Sequence, residues 1–260
     1  MDNYLQQPTA KPIVKAKEKT ATVKFSEIRC GNNFYIQFVG DEAVDVIDKS
    51  MKIFTAENGT KGGPCDLKKG KVVAALFDDG SGKLWYRAKI LEIRSGKAKV
   101  LFVDYGNIST VPISTHLRPL DTQLGIDRIS PTAKECVLAL TKTRSLDEDE
   151  GIEAARLLQR SWGAEMTARI FCENEGKLEI ALYKPNSTIS INEEMISDGL
   201  ARAMKKKEVD VLLDKLVSPV ALTAFASDLA AAEESARKTR VGMWRYFGKV
   251  HLSYVVGIRK

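Results

Sequence analysis

Phe77, Trp85, Tyr86, Phe102, Tyr105 and Asn107 are the residues of this chain whose types and spacing suit a specific ligand chemistry. They fall in a stretch of alternating polar and apolar residues, the period of β-strands. Ring faces offer a negative quadrupole together with an apolar wall. Rings gathered on one face of a small barrel can therefore hold a poorly hydrated cation. A methylated arginine is such a cation: it keeps its charge, loses donor capacity and gains methyl groups. A carboxylate among the rings would favour the bare guanidinium, which pairs bidentately. The neutral amide of Asn107 accepts one remaining N–H without that bias. Asp104 is assigned instead to holding the loop, and Gly106 to a positive-φ position between two ligand-facing residues. The pattern points to a reader of modified side chains before it points to a catalyst.

The same rings would serve equally well as barrel core. In strict period two, Phe102 and Asp104 share one face while Leu101, Val103 and Tyr105 share the other. A cage therefore requires the chain to bend around Asp104. Trp85 reads as core, or as packing against a flanking domain.

The elements that must position these residues are short. Lys71–Phe77, Leu84–Ile93, Lys97–Val103 and Ile108–Pro112 read as strands joined by Gly-containing turns, which predicts a small, strongly bent barrel. Upstream, Thr22–Ile28 and Phe34–Val39 read as two strands around the turn Arg29–Asn33. Asp41–Phe54 comes next, with helical spacing of Val44, Ile47, Met51 and Phe54. Downstream, Ala133–Thr141 reads as a strand, Asp147–Arg160 as a helix with an acidic first turn, and Met166–Cys172 with Lys177–Tyr183 as a hairpin. Ser190 to Glu193 fits a capping box, and Leu200–Met204 a further strand. Ser218-Pro219 opens a long helix whose buried stripe is read as Val220, Phe225, Leu229 and Ala232, with Gly242 at its end. The strands before the linker cannot close a core alone, and those after residue 130 need partners. One domain split in sequence, with the small barrel inserted, satisfies both. The expected divisions are a basic disordered leader at 1–20, a first domain half at 21–57 and a linker at 58–70. The barrel occupies 71–120, the second half 121–248 and a tail 249–260.

Composition sets few limits. The chain has 260 residues, 44% hydrophobic and 28% charged, with a net charge of +6. That balance permits nucleic acid or an acidic partner without demanding either. No apolar run approaches the roughly 18 residues of a membrane span, and residues 1–20 lack the apolar core of a signal peptide. A cytoplasmic, also nuclear, location without membrane contact is expected, with the four scattered cysteines reduced. Lys68-Lys69-Gly70-Lys71 and Lys205-Lys206-Lys207 could track phosphates, or could be solvated surface lysines.

Trp85-Tyr86-Arg87-Ala88 followed by Phe102-Val103-Asp104-Tyr105-Gly106-Asn107 resembles the Tudor domain. The flanking segments, together with the closing Ala236-Arg237-Lys238 to Trp244 stretch, resemble a staphylococcal-nuclease-like domain of OB type. The combination is the extended Tudor arrangement found at the C-terminal end of the Tudor staphylococcal nuclease family. The resemblance implies an α+β, mainly β fold: an SH3-like Tudor barrel inserted in a split nuclease-like OB domain. It implies a cage of Phe77, Tyr86, Phe102, Tyr105 and Asn107 for symmetric dimethylarginine. Phe102 stands where a tyrosine is common, and the loop Asp78–Lys83 looks longer than usual. Implied partners are Arg-Gly-rich tails of Sm-type or Argonaute/Piwi-type proteins, with an adaptor role in RNA metabolism or silencing. RNA binding by the OB-like part is the alternative. Family members carry further nuclease-like domains, so a fragment of a longer protein is expected.

Weak single-site affinity would result from a few such contacts, with avidity from repeated Arg-Gly units. Residues 71–112 hold seven Lys/Arg against four Asp/Glu, so attraction of a basic tail must come from local acid such as Asp78 and Asp79. Nuclease chemistry is not expected. Gly31-Asn32-Asn33-Phe34-Tyr35 lacks the family's Asp-Gly-Asp, and Glu173-Asn174-Glu175-Gly176-Lys177 lacks its arginine. Asp41, Glu42 and Asp45 read more simply as a helix start. With only two histidines, His116 and His251, triad or His-metal chemistry is poorly supplied. No cofactor and no metal are expected.

Overall fold

The computed structural model describes residues 19–80, 82–214 and 220–245. The leader apart from residues 19–20, the Ser218-Pro219 helix start and the 249–260 tail lie outside the described residues. Strands β1 (Lys19–Cys30) and β2 (Asn33–Phe38) pair as a hairpin, with irregular register between Phe25 and Glu27. The extra residue there is Ser26, a β-bulge that sharpens the local twist. Helix α1 (Glu42–Asn58) is next, and the Asp41 carboxylate accepts from the Ala43 N–H at its start.

The inserted sheet consists of β3 (Val72–Asp78), β4 (Lys83–Arg94), β5 (Lys97–Phe102) and β6 (Ile108–Pro112). A one-turn helix α2 (Ile113–His116) leads into the short β7 (Leu117–Arg118), and the spatial order is β6-β5-β4-β3-β7. β7 is too short to leave a sequence signal. The sheet's inner face is small and aliphatic, with Val73, Ala75, Ala88, Ile90, Val100 and Leu117 buried around Phe102. On its other side Ile47, Met51 and Phe54 of α1 pack against Ala74, Leu76 and Trp85. Trp85 is fully buried there, and its indole N–H donates to the Gly59 carbonyl at 2.6 Å.

The chain then returns to the first hairpin. β8 (Lys134–Leu138), β10 (Met166–Asn174) and β11 (Lys177–Tyr183) join it to close a barrel in the order β1-β10-β11-β8-β2. The strand read over Ala133–Thr141 breaks at Leu140, whose φ of 58° cannot continue a strand. Beyond the break lies a separate β9 (Thr141–Thr143), paired with β12 (Ala201–Ala203). Helices α3 (Asp149–Gln159) and α4 (Ile191–Ser197) cover the barrel, and Ser190 caps α4 by accepting from the Glu193 N–H at 3.1 Å.

A helix α5 (Lys206–Leu213) occupies the stretch read as a lysine cluster. Leu212 is its buried residue, and the Glu208 carboxylate accepts from the Lys205 N–H at its start. Helix α6 (Val220–Thr239) buries Leu222, Phe225, Leu229 and Ala236. Val220 is 73% exposed, not part of the stripe. It precedes Leu222 by two positions, which turns it about 200° away from that face. A small bent sheet inserted into a split, closed barrel is the architecture the sequence implied.

Candidate functional site

The strand does bend at Asp104. β5 ends at Phe102, and the Tyr105 and Gly106 N–H groups both donate back to the Phe102 carbonyl, at 3.2 and 2.8 Å. Phe102 N–H in turn donates to the Asn107 carbonyl at 3.0 Å. This turn undoes the strand alternation and swings Tyr105 to the side of Phe102. Gly106 sits within it at φ 99°.

Four rings now border one cleft. Phe102, 1% exposed, lies at the floor beside Phe77, with centroids 5.1 Å apart. Tyr86 stands nearly perpendicular to Phe77, Phe102 and Tyr105, at 6.3, 6.1 and 5.5 Å. Adjacent rings thus meet as the walls of a box. Phe77, Tyr86, Phe102, Tyr105 and Asn107 all line an open cleft of about 500 Å³. Asp79 lies on the same cleft, and the Tyr86 hydroxyl donates to its carboxylate at 3.3 Å. Asp78 is used locally, accepting from the Gly80 N–H.

Asp104 does not reach the cleft. It is 3% exposed, and Arg87, 1% exposed, donates to it through Nε and Nη2 at 2.8 and 2.6 Å. The remaining Arg87 donors meet the carbonyls of Leu124, Ile129 and Ser130. Thr132 N–H donates to the Asp104 carboxylate at 3.1 Å. The split barrel holds the same loop from outside: Gln37 donates to the Asp104 carbonyl at 2.7 Å, and Arg29 to that of Gly106 at 2.9 Å. Arg29 also lies over the Tyr35 ring, 4.6 Å from its centroid. The bend is therefore imposed by a buried ion pair and by the flanking barrel, not by the turn sequence alone.

Three further residues line the cleft from outside the inserted sheet: Ser26 and Glu27 of β1, and Trp162 in the turn after α3. Trp162 lies 76 positions beyond Tyr86 in sequence, and no local pattern connects the two.

Burial first, then the charges of Asp48, Asp104 and Asp79, pushes the Tyr105 hydroxyl up to about 12. Burial, then neighbouring Asp79 and Tyr105, raises that of Tyr86 as well. An unfolded tyrosine ionises near 10, so the folded state holds these hydroxyls protonated more firmly. The stability they contribute is fully present below about pH 10 and is lost as pH rises toward about 12. Tyr105→Phe should therefore make the alkaline fall in denaturant midpoint shallower. A fall as steep as that of the wild type would contradict this account.

A ring-lined, bent five-stranded sheet set into the middle of a split OB-type barrel defines a Tudor-class module. The chain matches the Tudor domain family over residues 15–140. It has the extended Tudor fold and resembles the C-terminal part of Tudor staphylococcal nuclease. The extended Tudor domain of Drosophila melanogaster Tudor-SN superposes on it with a TM-score of 0.72 at 23% identity, covering 88% of this chain and 100% of that one. Extended Tudor domain TD3 of mouse TDRD1, solved with a MILI peptide containing dimethylarginine, gives 0.61 at 21% identity, covering 72% and 94%. In sequence, Ribonuclease TUDOR 1 of Arabidopsis thaliana is 30% identical over 252 residues, covering 88% of this chain. The chain spans about a quarter (24%) of the length of that relative.

Proposed function

We propose that this domain reads symmetric dimethylarginine in Arg-Gly-rich tails of RNA-associated proteins, as an adaptor in RNA metabolism or silencing. The observation that carries this reading is the convergence of Phe77, Tyr86, Phe102 and Tyr105 with Asn107 on one open cleft. The likeness to a fold solved elsewhere with a dimethylarginine peptide supports it. In this reading the methylated guanidinium stacks within the ring walls and Asn107 accepts its remaining N–H. Asp79, on the same cleft, supplies the local acid that draws in a basic tail.

The nuclease-like part acts as a support and not as a catalyst. Its first hairpin spends its amides on structure: Asn32 donates to the Thr141 carbonyl and accepts from the Leu138 N–H, and Asn33 donates to Glu135. Of the lysines that could have tracked phosphates, Lys71 and Lys68 face Asp66 at 2.8 and 3.9 Å.

Fluorescence anisotropy tests the proposal with symmetric, asymmetric and unmethylated versions of one Arg-Gly peptide, and with single-stranded RNA. The symmetric form should bind about tenfold more tightly than the unmethylated one, and Tyr105→Ala should remove that preference. Equal binding of all peptides, or an unaffected Tyr105→Ala variant, would overturn the cage. RNA incubated with calcium should stay intact; cleavage would overturn the non-catalytic assignment.

A further inference from the structure

Glu27 and Trp162 line the same cleft as the rings, and both come from the split barrel rather than the inserted sheet. Trp162 is 56% exposed, whereas Trp85 and Trp244 are buried. Its backbone is nonetheless tied down: Trp162 N–H donates to the Gln159 carbonyl and Ala164 N–H to that of Ser161. An ordered turn that presents a large ring to solvent at the rim of a cleft has the form of a contact anchor. Ile108, 41% exposed, borders the same cleft from the inserted sheet.

Glu27 is partly buried, and no cation lies within ion-pair distance of it among the described residues. The nearest candidate, Arg29, is committed to the Gly106 carbonyl, the Tyr35 ring and Glu135. Burial raises the Glu27 carboxyl above its usual range, with Arg29 opposing only in part. A partly desolvated carboxylate without a partner gains most from a cationic donor that arrives with a ligand. Beside it, the Ser26 hydroxyl oxygen is buried with no hydrogen-bond partner in the structure. The two residues at the bulge in β1, Ser26 and Glu27, thus both line the cleft.

We propose that Glu27 and Trp162 form a second subsite that binds an unmodified arginine of the same peptide whose methylated arginine enters the ring cage. This rests on the cage reading above. The two subsites divide the chemistry. Rings and a neutral amide suit the methylated side chain. A carboxylate and an exposed indole on one cleft suit a bare guanidinium, which pairs with the first and stacks on the second. The preferred ligand is then a tail in which one arginine is dimethylated and a neighbour is not, a partly modified Arg-Gly repeat. Complete methylation would block bidentate pairing at Glu27 and weaken binding, giving a reader tuned to intermediate modification.

The test uses the whole chain and peptides carrying one symmetric dimethylarginine, with a second arginine placed two or four residues to either side. At one of these offsets arginine should bind about tenfold more tightly than alanine or dimethylarginine there. Glu27→Gln and Trp162→Ala should each reduce that gain to about twofold or less, while leaving the methylated-to-unmethylated ratio at the cage unchanged. No gain at any offset, or a gain that survives both substitutions, would overturn the second subsite. If wild type binds methylated and unmethylated peptides alike, the cage fails on its own. A peptide with a single unmodified arginine should then still shift Trp162 emission to the blue, and its failure to do so would overturn this subsite independently.

Discussion

Arg87→Ala will destabilise the domain by about 3–5 kcal/mol, the range for removing one partner of a buried ion pair, and will abolish the proposed methylarginine binding along with it. The side chain is almost completely inaccessible, and its guanidinium makes five hydrogen bonds, two to Asp104 and three to main-chain carbonyls between residues 124 and 130. Alanine would leave the Asp104 carboxylate buried with only Thr132 as donor, and would strand those carbonyls. Lysine would not rescue, because a single ammonium cannot reproduce the fork that reaches the carboxylate and the carbonyls together. Asp104→Ala should cost a similar amount, and the double variant clearly less than the sum of the two, since each single change leaves the other group uncompensated. Urea denaturation of the four species measures this directly. Additive losses would show that the pair does not hold the bend.

That pair also explains what could be read in the chain and what could not. Periodicity and Gly-containing turns placed β3 to β6, because each turn lies between strands adjacent in sequence. The Asp41 and Ser190 helix starts were legible for the same reason: their hydrogen bonds span two or three residues. Ring types and spacing drew Phe77, Trp85, Tyr86, Phe102, Tyr105 and Asn107 together, and the Tudor resemblance chose the five without Trp85 as a cage. Whether those rings could meet was a separate matter. The bend that lets them meet is held by Arg87 from a neighbouring strand, by carbonyls near residue 130, and by Arg29 and Gln37 some 67 to 77 positions upstream. No local pattern encodes such contacts. Trp162 was invisible for that reason as well, being an exposed residue in a turn of the other barrel. Helix α5 leaves a weak signal for a different reason: Val209, Leu212 and Leu213 carry helical spacing, but over only eight residues and behind three lysines whose charge dominates the local pattern.

Gly106→Ala will destabilise the domain by about 2–6 kcal/mol, from roughly 1–3 of backbone strain and roughly 1–3 of overpacking. At φ 99° an L-residue is strained whatever space surrounds it. Here there is no space either: a Cβ would overlap the Tyr35 ring. That ring cannot step aside cheaply. It is 6% exposed, its hydroxyl donates to Glu135 at 3.1 Å, and Arg29 is stacked on its face. Moving it would disturb the same Arg29 that donates to the Gly106 carbonyl, so the bend would lose its outer clamp as the clash was relieved. Gly70 supplies the control, because its φ is 89° but nothing lies within 4 Å of the added Cβ. Gly70→Ala should therefore show the strain alone and leave peptide binding at the wild-type level. The excess loss in Gly106→Ala, read from urea midpoints, isolates the contact between the closed barrel and the loop that carries Tyr105. Equal losses at the two glycines would mean that Tyr35 yields freely and that the flanking barrel does not shape the loop. An excess accompanied by weakening of the proposed methylarginine binding would show why the ring-bearing sheet is built into a closed barrel: that barrel supplies the pressure that keeps Tyr105 turned toward Tyr86.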